Sequence, residues 1–432
     1  MKKLVFIIYF FIFVCMFIST NIKAQLPPDD PAYELVFSDD FNGNRLDSTL
    51  WLKTFPWHQD TNYHTFCHDT TVFHPMAAIK VRDANGNLDT TNCKVSNGTL
   101  KLITKKESYD GQCWRWLKCN PPSFSNCNAL NYCDNYGGPN TCWHWDTLPF
   151  NFTTAMLYSK FNFRYGYFEI RFKLPPLPPS PKSMRGHSGT FWLYSGGNPY
   201  WSEIDVFEIN ANNNYCFAAG NMYWEVDTDL TTRHQDIWGP QNTHCFFTPD
   251  SFHTAAINWT SQSIEYYYDG ILRWVSYNHP DLIHNMAIII NNGGNYTPTD
   301  NYCTAFDTLG ADSTHFPYIF EIDYVKVWQL KKDCNTDINL TSFNPTIYPN
   351  KLHKSITMGT NVNITNQSNQ TFWSQNYILL NEGTYVDNQS NVLFNVTNCN
   401  NIYCQRKINE SAKGDENPTP PPSSFLNKLN NN

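Results

Sequence analysis

One short run limits what this chain can fold into, because it places three carboxylates in an otherwise apolar segment of strand length. The run reads E-I-D-V-F-E from Glu203 to Glu208. In a regular strand the side chains i and i+2 share a face, so Glu203 and Asp205 point one way and Glu208 points the other. A β-bulge around Val206 and Phe207 would return Glu208 to the shared face, and bulges are common beside active sites. The run therefore predicts a bulged strand with three acids along one wall of a cleft.

Carboxylates grouped in this way are typical of enzymes that cleave glycosidic bonds. One carboxyl group protonates the leaving oxygen, and the other attacks the anomeric carbon or activates water. A solvated strand face is the alternative interpretation, but such faces usually alternate Ser, Thr and Lys. Residues 198–214 contain no Lys or Arg. No basic residue close in sequence therefore offsets the repulsion among the three acids.

Further segments surround this run in a fixed order. They are Phe37–Gly43 with Leu46, Asp47 and Trp51, then Tyr165–Pro175, Phe191–Leu193, Ser251–Thr254 with Trp259 and Thr260, Ile264–Gly270 and Ile322–Trp328. Together with the acidic run they resemble glycoside hydrolase family 16, in the branch whose motif E-[ILV]-D-x-x-E includes the bulge. Ordered matches over roughly 290 residues are far more specific than the six-residue motif alone.

The resemblance implies a role for each acid. Glu203 is the nucleophile, Glu208 is the general acid/base, and Asp205 is the intervening acid that holds a proton and tunes its neighbours. Retention of configuration follows if the two glutamates lie about 5–5.5 Å apart. Three carboxylates at close quarters cannot all ionise cheaply, so we expect a raised pKa for at least one of them.

Aromatic residues near the run are candidates for sugar binding, because sugar rings stack on aromatic faces. The candidates are Trp192, Tyr200, Trp201 and Trp224. His253 matches a family segment, but a single histidine in a β-protein is more often structural, and it is left out of the catalytic set. The resemblance implies no cofactor for catalysis and a structural calcium ion at Asp323.

Two departures from the family pattern leave the polysaccharide open. The family often carries a histidine on the strand after the catalytic one, where this chain has Gly220–Trp224. Trp201 also lies closer to Glu203 than in many laminarin-cleaving members. The expected substrate is a β-1,3-linked or mixed-linkage glucan, with galactans (agarose, porphyran or carrageenan) as the runner-up. A transglycosylase and a non-catalytic glycan-binding protein are further alternatives.

Composition and patterning predict the fold and its subdivision. Aromatic residues make up 16% of the chain and charged residues 16%, and long Ala/Leu/Glu/Lys stretches are missing, which favours an all-β fold over a helical bundle. We expect a two-sheet jelly-roll β-sandwich with an open cleft over residues 25–333. Short alternating segments predict a small β-rich accessory module over 334–405, and a proline-rich stretch predicts a disordered tail over 406–432.

The first 24 residues predict export. A basic start precedes the apolar run Leu4–Ile18, and Ala24-Gln25 is a plausible cleavage point. The run is shorter than the ~20 residues of a membrane helix, so we expect a secreted or cell-surface protein without a stable membrane span. Cleavage removes three lysines and changes the formal charge from −8 to −11. That charge excludes nucleic acid as a partner and favours a neutral glycan, while the oligomeric state stays open.

Thirteen cysteines remain after cleavage, and in an exported chain they suggest disulfides. Five of them lie between Cys113 and Cys142, in a predicted insertion over about 105–150 that interrupts the family resemblance. A zinc site formed by Cys133, Cys142 and His144 is the less favoured alternative, because no paired C-x-x-C is present. The odd total leaves at least one thiol unpaired or intermolecular.

Overall fold

The computed structural model is almost entirely β-strand. It describes residues 26–54, 63–66, 78–80, 89–118, 132–133, 141–176, 188–195, 201–210, 216–224, 233–238, 246–277, 282, 284–293, 316–343, 351–360, 362–364, 369–386, 391–396 and 403–406. The predicted signal segment 1–24 and nearly all of the predicted tail lie outside these residues. Within them, no helix is long and apolar enough to cross a membrane.

The regular elements follow one another in chain order. After the 3₁₀ helix Pro27–Asp29 come β1 (Tyr33–Asp39), β2 (Trp51–Leu52), β3 (Tyr63–Phe66), β4 (Ala78–Lys80), β5 (Cys93–Ser96), β6 (Thr99–Lys118), β7 (Tyr132–Cys133), β8 (Thr141–Arg164), β9 (Gly166–Lys173), β10 (Ser188–Tyr194), β11 (Trp201–Asn210), β12 (Cys216–Trp224) and β13 (Arg233–Trp238). They are followed by β14 (Phe252–Trp259), β15 (Ser263–Tyr268), β16 (Ile271–Tyr277), β17 (Met286–Gly293), β18 (Tyr318–Leu330), β19 (Lys332–Leu340), β20 (Leu352–Met358), β21 (Asn363–Ile364), β22 (Asn369–Ser374), β23 (Ile378–Leu380), β24 (Tyr385–Val386), β25 (Asn391–Val396) and β26 (Tyr403–Arg406).

The chain divides into two compact units, Glu34–Leu330 with Thr397–Asn432, and Lys331–Val396 with Met1–Tyr33. The larger unit contains two antiparallel sheets. The first has the strand order β5-β6-β18-β9-β14-β15-β16. The second has the order β13-β12-β11-β10-β17-β8, with β2 and β26 also paired to β8. The predicted all-β, two-sheet sandwich is confirmed.

The core lies between these two sheets and is strongly aromatic. Phe172 of β9 and Phe207 of β11 lie with ring centroids 4.8 Å apart, and Phe320 of β18 lies 6.4 Å from Phe207. All three side chains are buried. The inward face of β11 is therefore held by the opposite sheet, which leaves the other face of the strand for polar residues.

The predicted insertion is a long antiparallel arm of β6 and β8. Its register runs from Lys105 opposite Thr153 to Lys118 opposite Thr141. The short strand β7 adds to this arm and places the backbone of Cys133 opposite Cys142. Their side chains lie outside the description, so disulfide and zinc binding both stay predictions there. Among the described cysteines, Cys93 is a free, buried thiol whose pKa burial raises to about 11.

The smaller unit is a stack of parallel strands with a sequence repeat that strand alternation alone did not reveal. Residues 356–374 pair in parallel with 378–396 at a constant separation of 22 positions, as in Ile356 with Ile378 and Asn369 with Asn391. The tetrapeptide N-Q-S-N at 366–369 recurs at 388–391. Parallel pairing at one fixed period is typical of a β-solenoid.

Candidate active site

The acidic run forms the central part of β11 and contains the predicted bulge. On one side Asp205 pairs with Gly220 and Glu208 with Ala218, so two residues of β11 oppose one residue of β12. On the other side the register against β10 shifts between the same residues. A bulge at Val206 and Phe207 is therefore confirmed.

The bulge brings the three carboxylates to one face. Along β10 their register partners are Tyr194 for Glu203, Trp192 for Asp205 and Thr190 for Glu208. These partners are spaced two residues apart, so they share a face of β10 and the acids share a face of β11. Asp205 lies between the two glutamates. This is the arrangement that the odd spacing in the sequence predicted.

A tyrosine from the opposite sheet supports the bulge. The hydroxyl of Tyr268 on β15 donates a hydrogen bond of 2.6 Å to the carbonyl of Val206. Both residues are fully buried. A bulge leaves a residue unpaired in its ladder, and a buried carbonyl without a partner is costly. Tyr268 satisfies this carbonyl from across the core.

Burial and mutual repulsion shift the acids' pKa values upward. Asp205 is buried, and its pKa lies well above the usual range because of desolvation, the neighbouring Glu203 and Glu208, and a hydrogen bond with Glu203. Burial raises the pKa of Glu208 to about 7. The raised pKa favours the protonated form of Asp205, which can donate a hydrogen bond to the Glu203 carboxylate, while Glu208 changes protonation near neutral pH.

A buried phenol lies opposite the predicted nucleophile. Tyr194 is Glu203's cross-strand partner, and both side chains are almost completely buried. Desolvation, Glu203 and Tyr158 raise the pKa of Tyr194 well above its usual value. The phenol stays protonated at any working pH. Sequence patterning did not single out Tyr194, although the register of β10 and β11 predicts its position once the hairpin is known.

Trp192 is held in a defined orientation by a neighbouring strand. Its indole Nε1 donates a 2.8 Å hydrogen bond to Oδ1 of Asn291 on β17. Thr190 donates to the same oxygen. Trp192 faces Asp205 in the register, so a predicted aromatic subsite residue lies beside the acids. Asn291 was missed by the sequence analysis, because its role depends on strand pairing.

The other predicted subsite residues are placed less completely. The backbones of Trp201 and Trp224 lie directly opposite each other in the β11–β12 ladder, two positions from Glu203 and its partner Met222. Nothing is described of their side chains, and Tyr200 lies outside the described residues. Their binding roles stay predictions.

The arrangement at Asp323 does not fit a calcium site. Its carboxylate forms an ion pair with Arg171 on the neighbouring strand β9. A guanidinium at the ligand position opposes a divalent cation, which needs several oxygen donors. No group of three His, Cys, Asp or Glu side chains that could hold a metal occurs in the part of the chain that the structure describes.

Comparison with known proteins matches the part of the chain that contains β11. Residues 82–288 match the model described as glycosyl hydrolases family 16. These residues, just under half of the chain, are therefore similar to a family 16 glycosyl hydrolase domain. The bulged acidic strand β11 lies inside the matched range, as do strands β6 to β10 on its N-terminal side.

Several curated proteins are similar to parts of this chain. A kappa-carrageenase of Pseudoalteromonas carrageenovora is 26% identical over 259 residues, which are 55% of this chain and 56% of the relative. A beta-1,3-glucan-binding protein of Penaeus monodon is 28% identical over 199 residues, 41% and 45% of the two chains. An endo-1,3-1,4-beta-glycanase of Rhizobium meliloti is 25% identical over 197 residues, 44% and 36%. The chain thus spans 36–56% of these relatives' lengths.

Solved structures also match parts of the chain. A crystal structure of the kappa-carrageenase of Pseudoalteromonas carrageenovora with an oligotetrasaccharide shares 22% identity and a TM-score of 0.44, covering 68% of this chain and 94% of that one. The LamAcat structure from Zobellia galactanivorans shares 21% identity and a TM-score of 0.40, covering 68% and 97%.

The raised pKa values predict that the acids lower stability at high pH. A carboxyl group whose pKa is raised in the folded state ionises first in the unfolded chain, so stability falls as pH rises from about 4 toward the folded-state pKa. Asp205→Asn cannot ionise. We therefore expect its melting temperature to exceed that of the wild type at pH 8 by several degrees, since 1 kcal/mol corresponds to roughly 2–4 °C in a domain of this size.

Thermal unfolding of the wild type and Asp205→Asn between pH 4 and pH 8 checks this expectation. The advantage of the variant should shrink steadily as the pH falls toward 4, because the carboxyl group of the unfolded wild type begins to take up a proton there. An advantage that is independent of pH would mean that better packing, rather than a removed charge, stabilises the variant.

Proposed function

We propose that the protein is a secreted retaining endo-glycosidase that hydrolyses internal β-glycosidic bonds of a polysaccharide. The observation that carries the proposal is the bulged strand β11, which places Glu203, Asp205 and Glu208 on one face. The Asp205 side chain is also hydrogen-bonded to Glu203. The match of residues 82–288 to glycosyl hydrolases family 16 supports the same reaction class.

Each acid has an environment suited to one step of a double displacement. Glu203 attacks the anomeric carbon, and the protonated Asp205 beside it spreads the charge of the carboxylate. Glu208, with its pKa raised to about 7, is protonated often enough at neutral pH to donate to the leaving oxygen. After the first sugar leaves, the same residue takes the proton from the incoming water.

The substrate that we propose first is a β-1,3-linked or mixed-linkage glucan. The glucan-binding and glycanase relatives support it, and the acidic charge of the chain favours a neutral polymer over an anionic one. A galactan is the second candidate, because the match to the kappa-carrageenase extends over 259 residues. Transfer to a sugar acceptor instead of water is a variant of the same chemistry.

Reducing-sugar release on a panel of polysaccharides tests this function. The wild type and Glu203→Gln are incubated with laminarin, lichenan, agarose, porphyran and carrageenan. We expect one polymer to be cleaved by the wild type, and activity of the variant on it to fall by at least about 10³-fold, since a missing nucleophile blocks the first step. Glu34→Gln serves as the matched control, because Glu34 is exposed and far from Glu203 in the sequence.

Two further readouts separate the alternatives. Proton NMR of the first product reports whether the anomeric configuration is retained, and a product profile at rising acceptor concentration distinguishes hydrolysis from transfer. A wild type that cleaves none of the five polymers, yet is slowed by one of them in an affinity gel, would replace the enzyme with a glycan-binding protein.

A further inference from the structure

Within the residues that the structure describes, the last coil of the β-solenoid in the smaller unit is covered on one side only. We define the inner coil as residues 356–374 and the last coil as residues 378–396, which pair position by position at the 22-residue spacing. Inward-facing residues of the inner coil form a buried cluster of Ile356, Met358, Val362, Ile364 and Phe372. Their counterparts in the last coil can be compared directly, because the register fixes each pair.

Side chains at stacking positions are buried in the inner coil and exposed in the last coil. Met358 is 0% exposed, whereas its partner Leu380 is 45% exposed. Ile364 is 0% exposed, whereas its partner Val386 is 36% exposed. The side chains are of similar size and apolar in both coils. Another coil stacked on the last one would bury Leu380 and Val386 as the last coil buries Met358 and Ile364.

The large apolar side chains that are exposed in the described residues concentrate in this coil. Those in or beside it are Tyr377, Leu379, Leu380, Tyr385, Val386 and Val396. Of these, Leu380 and Val386 occupy the stacking positions, and exposed apolar surface of this kind usually marks an interaction site.

The backbone of the last coil is also open on its outer side. Within the described residues, β23 pairs with β20, β24 with β21 and β25 with β22, and each of the three pairs on one side. An unprotected strand edge accepts a further strand readily. The next described strand along the chain, β26, pairs with β8 instead. It therefore does not complete the coil.

We propose that the last coil of a second copy of this chain completes the stack, giving a two-fold symmetric dimer joined end to end. The occupant must supply aliphatic side chains over Leu380 and Val386 and unpaired backbone groups along the edge, and the last coil itself supplies both. Its charged residues are only Glu382 and Asp387, so repulsion between two copies is weak. Identical surfaces that face each other across a two-fold axis close the assembly at two chains.

Sedimentation velocity of the full chain over a concentration series tests this dimer. The double variant Leu380→Lys/Val386→Lys places two charges in the proposed interface, and we expect its dimer dissociation constant to rise by more than about a hundredfold. Leu379→Lys is the matched control. Leu379 pairs with Thr357, a partly exposed polar residue of the inner coil, so this position points away from the stack and the dimer should persist.

Folding of the variants is checked separately by circular dichroism and by the activity of the family 16 domain, neither of which depends on the dimer. A wild type that stays monomeric at every concentration overturns the proposal and leaves the coil end to a different chain. Equal dissociation of the double variant and Leu379→Lys also overturns it, because the stacking positions would then have no special role.

Discussion

Replacing Glu208 by glutamine is expected to lower kcat on the cleaved polysaccharide by about 10²–10⁴-fold, the usual contribution of a general acid. Glutamine keeps the size of the side chain and removes the proton that the leaving oxygen needs. The loss should shrink on an aryl glycoside whose leaving group departs without protonation. Steady-state kinetics of both substrates with the wild type and the variant measure the difference.

The role of Glu208 as the general acid also predicts the direction in which kcat/KM changes with pH. Burial raises the pKa of Glu208 to about 7, and a general acid works in its protonated form. Wild-type kcat/KM on the polysaccharide should therefore fall as pH rises through about 7. This alkaline decline should be missing from the Glu208→Gln variant, and Glu34→Gln should retain it. A wild-type profile that is flat through pH 7 would assign proton donation to another group.

The position of the acids could be predicted from the sequence, because it depends on counting along one strand. Glu208 lies at an odd distance from Glu203, and only an inserted residue returns it to the same face. His253, which was left out of the catalytic set, contacts a residue of the next hairpin turn: its Nδ1 lies 2.8 Å from the Asp269 carboxylate, in the turn that follows β15. Residues close in sequence constrain each other through backbone geometry.

The supporting residues could not be predicted, because they come from strands far along the chain. Asn291 reaches Trp192 across the β10–β17 pair, and Tyr268 reaches Val206 from the other sheet. The run of three tyrosines at 266–268 predicts that their side chains alternate between the two faces of a strand, but it does not predict which residue each tyrosine contacts. The solenoid repeat was visible in the sequence as two N-Q-S-N tetrapeptides, yet a search for strand alternation has a period of two and does not detect a period of 22.

Tyr268→Phe is expected to impair both the stability and the chemistry of the protein, although Tyr268 lies on the opposite sheet from the acids. Removing the hydroxyl leaves the buried carbonyl of Val206 without its donor, which costs about 1–3 kcal/mol of unfolding free energy. The bulge is the element that turns Glu208 toward Glu203. A bulge without its anchor relaxes toward regular pairing, so kcat should fall while KM changes little.

Tyr267→Phe is the matched control, because this neighbour on β15 faces the other way and donates a 2.6 Å hydrogen bond to Glu265. It should lose stability without losing kcat. Chemical denaturation and steady-state kinetics, both at a temperature where all three proteins are folded, compare the two variants with the wild type. If Tyr268→Phe loses stability only, with kcat and the alkaline limb of its pH profile unchanged, then strand pairing alone holds the bulge. A loss of kcat confined to Tyr268→Phe instead means that the opposite sheet, through Tyr268, orients the Glu208 side chain.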